Sequence, residues 1–142
     1  MNALVIGCGR VGSAVALELS NSGWNVTAVD ENEEALYRLG DRWPGRFVVG
    51  HGMDTEVLHR AGIEDAHAVV VATDGDNTNL VIAQVAQKRY GIDCVVVRVL
   101  DPARAVWYTE CGLNVVSPTT TAISELTATA QSYKQAKEAA TV

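Results

Sequence analysis

Short runs of β-branched and apolar residues alternate along the chain with stretches whose apolar positions recur every three to four residues. The strand-like runs fall at 3–6, 25–29, 46–49, 68–72, 94–100 and 114–116. The run at 68–72 is apolar throughout, as expected of a strand covered on both faces. Between them, helical spacing predicts helices over 11–21, 31–39, 55–60, 77–89, 103–110 and 119–137, the first carried by Val11, Ala14, Val15 and Leu19. Gly23, Gly40 and Gly91 stand where those helices must stop. Strict alternation of strand and helix predicts an α/β fold, a Rossmann-like doubly wound parallel sheet of about six strands with helices on both faces. We expect one domain over 1–142.

Composition narrows the classes. With 48% apolar and 20% charged residues the chain reads as an ordinary globular protein. The net charge is −6, with no basic cluster, which argues against nucleic-acid binding. No apolar run approaches the about 18 residues of a membrane span, and the N-terminus lacks a signal-peptide pattern, so a cytoplasmic protein without direct membrane insertion is expected. Cys8, Cys94 and Cys111 show no C-x-x-C spacing and read as reduced thiols. Cys94 opens an apolar run and reads as core.

The chemistry concentrates at Gly7-Cys8-Gly9-Arg10-Val11-Gly12, a G-x-G-x-x-G triplet between the first strand and the first helix. Gly7 suits the tight turn, Gly9 a close approach of pyrophosphate, and Gly12 close helix–strand packing. Asp30 closes the second strand 18 residues after Gly12. Its carboxylate suits ribose hydroxyls and repels a 2′-phosphate, which favours NAD or an adenine nucleotide over NADP. Asp30 can equally cap the helix that follows. Arg10, a cation at a helix start, is unfavourable alone and favourable beside a di- or triphosphate.

These residues, together with the turn at Gly50, the segment "DTEVLHRAGIEDAHAVVVATDGDNTNL" and "VVVRVLDP…GLNVVSP", resemble the TrkA-N domain. That domain is the nucleotide-binding half of RCK (KTN) subunits, regulators of potassium conductance. The resemblance covers essentially the whole chain, and the middle segment is more specific than the glycine triplet. It implies a cytoplasmic regulatory subunit, peripheral to the membrane, that forms a homodimer or higher ring and controls a potassium channel or transporter. The implied ligands are NAD or NADH, with ATP, ADP or AMP as alternatives. By the same resemblance Gly7, Cys8, Gly9, Arg10, Val11 and Gly12 would hold phosphates, and Asp30 with Glu31 the ribose. Gly50, His51 and Gly52 would lie beside the adenine, and Ala72, Thr73, Asp74, Asn79 and Arg98 would flank the cleft. His51 stands where the family usually carries an acid.

Other features read as structure. His51, His59 and His67 recur every eight residues, a spacing suited neither to one helix face nor to a metal. Asp74 and Asp76 fit a turn better than a cation site. Trp24, Trp43 and Trp107 read as packing anchors. Ile123, Leu126, Ala130 and Tyr133 form a narrow apolar stripe on the last helix (119–138), which suits either a dimer-crossover contact or packing on its own sheet. A nucleotide-sensing domain without catalysis is the reading that follows. The alternatives are the cofactor domain of an NAD-dependent oxidoreductase and an interaction module with a vestigial cleft.

Overall fold

The computed structural model describes residues 1–141. Six parallel strands form one sheet in the order β3-β2-β1-β4-β5-β6: β1 (Asn2–Ile6), β2 (Asn25–Asp30), β3 (Arg46–Val49), β4 (Ala68–Val71), β5 (Cys94–Arg98) and β6 (Asn114–Val116). The helices are α1 (Arg10–Asn21), α2 (Thr55–Ala61), α3 (Asp76–Gln84), α4 (Pro102–Glu110) and α5 (Pro118–Thr141). This is the doubly wound α/β architecture expected from the alternation.

Neighbouring residues of β1 serve opposite faces, as the pleat requires. Leu4 and Ile6 join Val29, Val48, Val69, Val71 and Ile82 in one layer. Ala3 and Val5 join Val26, Ala28, Ala16 and Leu39 in the other. The second layer is built of small residues, so α1 lies close to the sheet. The strand order reverses at β1, which pairs with β2 on one side and β4 on the other. Chains leaving the two strands turn to opposite faces there, opening a crevice at the carboxyl ends.

Four local expectations are corrected. The segment 31–39 forms only a short 3₁₀ turn, Glu33–Arg38, and its cap is Asn32, whose side chain accepts from Glu34 N–H at 3.0 Å. Asp30 therefore does not cap it. The helix after β4 widens into a π turn over Val85–Arg89. Cys94 is exposed, because the first residue of β5 lies at the rim of the sheet. Trp107 is 55% exposed on α4, whose buried contacts are Ala105 and Tyr108 instead. Trp24 and Trp43 do pack, half-buried, against the small-residue layer.

α5 leaves its apolar stripe uncovered. None of its residues is buried, and Ile123, Leu126 and Tyr133 are all exposed, so it does not pack on its own sheet. No helix among the described residues is long and apolar enough to cross a membrane.

Candidate functional site

The site starts where β1 runs out. Gly7 turns the chain at φ +93°, and its N–H donates to Val29 O at 2.8 Å, which ties the loop to β2. A Cβ on Gly12 would stand 1.7 Å from Gly7 O, so only glycine lets α1 approach this closely. A Cβ on Gly9 would meet nothing within 4 Å. Gly9 thus faces open space, the room a phosphate needs. Gly9 also caps α1 without a side chain, and the first turn holds no acid, leaving the positive helix end unneutralised. α3 likewise starts from Gly75 with no side-chain cap, whereas α2 and α4 carry Asp54 and Asp101.

Asp30 braces this loop. Its Oδ2 accepts Cys8 N–H at 2.7 Å and its Oδ1 accepts Asn32 N–H at 2.8 Å. One carboxylate so ties the glycine loop to the turn after β2 and keeps lone pairs for ribose hydroxyls. Cys8 is fully buried beneath it. Burial first, and the Asp30 charge second, push its thiol up to about 12. It is a neutral space-filler, not a nucleophile.

A cleft of about 430 Å³ opens over these residues, within the range of small-molecule sites. Gly7, Cys8, Gly9, Asp30 and Glu31 line one part, and Gly50, His51, Gly52, Ala72, Thr73 and Asp74 another. Five residues predicted for the site lie outside that lining: Arg10, Val11, Gly12, Asn79 and Arg98. Arg10 is exposed at the first residue of α1, Val11 follows it, and Gly12 packs on the loop from behind.

Asn79 and Arg98 act from beneath the lining. Asn79 is completely buried; its Oδ1 accepts Thr73 N–H at 3.1 Å and the Thr73 hydroxyl, and its Nδ2 donates to Thr73 O and Arg98 O. Arg98 Nη2 donates to Thr73 O at 2.8 Å and reaches Asp74 at 3.6 Å. Both hold the Thr73 turn in place. Asp76 accepts Leu100 N–H at 2.7 Å and Asp101 N–H at 3.0 Å, locking α3 to the loop before α4. It is therefore committed to structure, and no cluster of metal-ligating side chains occurs among the described residues. His59 pairs with Glu64, and His67 Nδ1 accepts Asn2 N–H, so the three histidines serve separate places.

Sequence reasoning missed Asn32, Arg38, Gly75 and Thr78, which also line the cleft. Gly75 and Thr78 were legible as the start of α3. Arg38 carries no local signal, since only the path of the 3₁₀ turn brings it there.

Comparison with known proteins supplies the relatives. The TrkA-N domain model matches residues 3–118. The Trk system potassium uptake protein TrkA of Streptomyces coelicolor is 40% identical over 117 residues, covering 82% of this chain and 52% of that protein. The chain thus spans about half the length of that relative. Among solved structures, the Shewanella denitrificans Kef CTD in AMP-bound form superposes with a TM-score of 0.80 at 24% identity, covering 94% of this chain and 81% of that one. The GsuK channel bound to NAD gives 0.75 at 23% identity, covering 88% and 22%. At these identities the two structures establish the fold.

Proposed function

The chain belongs to the TrkA-N domain family, and we propose that it is the nucleotide-sensing part of a regulator of a potassium channel or transporter. The observation that carries this reading is the Gly7–Gly12 loop, with open space over Gly9 and an uncapped α1 N-terminus facing it. A phosphate group would sit at Gly9, and ribose hydroxyls at Asp30. NAD, NADH and the adenosine phosphates all present those two groups. A relative 40% identical over 117 residues is a potassium uptake protein, and one structural neighbour is described in AMP-bound form and another bound to NAD.

Sensing rather than turnover fits the groups around the loop. Cys8 is held neutral, and both Asp30 oxygens already brace main-chain N–H groups. Neither is poised to move a proton. The exposed stripe of α5 would seat a second copy of the chain at the cytoplasmic face of the transporter, and nucleotide identity would bias the geometry of that assembly. A ligand shifts such an equilibrium only through unequal affinity for its two states.

Calorimetric titration with NAD, NADH, ATP, ADP and AMP tests the reading. Saturable heat with at least one is expected, and absence of heat with all five overturns it. Asp30→Ala and Gly9→Val should each weaken binding by about tenfold or more. Unchanged affinity in both would place the ligand elsewhere.

A further inference from the structure

The carboxyl edge of the sheet is not its only opening. A cavity of about 590 Å³ lies at the opposite, amino edge, where β1, β2 and β3 begin and the chain enters β4. Its size is within the range of small-molecule sites. The pleat explains why it is polar. Leu4, Val29 and Val48 belong to the layer that also holds Val57 and Ala61 of α2. Counting back by twos from those three strand residues brings Asn2, Thr27, Asn25 and Arg46 onto the same face. Strands of a doubly wound sheet are ordinarily apolar on both faces. Here the corner beneath the C-terminal end of α2 is polar on three adjacent strands, and Leu4 and Ala61, both buried, supply its apolar wall.

Part of this polar set is already satisfied. Asn2 Nδ2 donates to Asp65 O at 3.1 Å, and Asn25 Nδ2 donates to Asn2 Oδ1 at 3.3 Å. Arg46 Nη2 donates to Arg60 O at 2.7 Å, which steadies the guanidinium at the end of α2. Arg46 Nε and Nη1, Asn25 Oδ1 and the Asp65 carboxylate have no partner among the described residues, and all three residues line the cavity. Thr27 is only 9% exposed, lines the cavity too, and its hydroxyl makes no hydrogen bond among the described residues. A buried hydroxyl is costly unless something meets it. The open groups thus comprise one cation, one anion, a neutral acceptor and a hydroxyl beside an apolar wall. We propose that this cavity binds a free α-amino acid. The carboxylate accepts from Arg46 and from the Thr27 hydroxyl. The ammonium donates to Asn25 Oδ1 and the Asp65 carboxylate, and the side chain lies against Leu4 and Ala61. A simple anion would leave Asp65 opposed and a simple cation Arg46, whereas a ligand bearing both charges meets both.

The test titrates the full chain calorimetrically with each of the twenty protein L-amino acids in turn. Saturable binding of at least one is expected. Its N-acetyl and carboxamide derivatives, which each lack one of the two charges, should bind about tenfold more weakly or worse, the worth of one charge-assisted hydrogen bond. Thr27→Val breaks no hydrogen bond of the free protein, so it should weaken binding without lowering the ligand-free melting temperature. Arg46→Gln should weaken binding further. Absence of heat with all twenty overturns the proposal. So does an affinity unchanged in both variants, or a derivative that binds as tightly as its parent amino acid. Either result leaves the nucleotide reading of the cleft standing.

Discussion

Helix α1 spans 12 residues and buries Gly12, Ser13 and Ala16, whereas α5 spans 24 residues and buries none. The shorter helix is held by contact: Gly12 on the Gly7 carbonyl, and Ser13 Oγ donating to Gly9 O at 2.6 Å. The longer one is held by its own backbone ladder and a Lys134–Glu138 pair at 3.7 Å, a spacing worth about 0.3–0.5 kcal/mol. Helical periodicity is equally legible in both. What differs is whether the apolar face finds a partner within the chain. A helix in water gains most of its stability from such packing; α1 has it within the chain and α5 does not.

Substitutions can break that contrast, and the largest effect belongs to α1. Gly12→Val would drive a side chain into the Gly7 carbonyl and should cost at least about 3 kcal/mol, read by urea unfolding. Asn79→Ala strips the Thr73 turn of its buried anchor. Leaving Thr73 N–H and Arg98 O without that partner should cost about 2–3 kcal/mol in the same assay. Cys8 yields a pH signature. Its folded pKa of about 12 exceeds the unfolded value of 9.0, so the unfolded chain ionises first. Stability is full below about pH 9 and declines from there towards pH 12, and Cys8→Ala should flatten that decline. At the small end, Leu126→Ser on α5 should change monomer stability by less than about 0.5 kcal/mol. If α5 seats a second copy, light scattering of the same variant should show a lower mass. A stability loss of several kcal/mol at Leu126 would erase the contrast instead.

Much of the site was legible before any coordinate. Gly7, Gly9, Gly12 and Asp30 announce themselves because a strand, a tight turn and a helix start are local events, and the acid follows at the end of the next strand. Thr73 and Asp74 were legible for a similar reason, as the turn at the end of a fully apolar strand. Cys94 and Trp107 were misjudged because apolar character says that a residue tolerates burial, not that a neighbour covers it. Arg98 was placed among the ligand contacts, but it reaches the cleft through the Thr73 carbonyl and the Asp74 carboxylate rather than lining it. Its side chain follows the pleat of β5, and no spacing in the chain records which carbonyl it will meet.

The sequence by itself determined the alternation of strands and helices, the glycine loop and its paired acid, since all of these arise from backbone chemistry within a few residues. Only the tertiary structure decided that Asp30 braces the loop, that His51 stands 3.9 Å from Glu31, and that α5 stays uncovered. Each depends on segments 20 or more residues apart being brought together, or left apart, by the order of strands in the sheet.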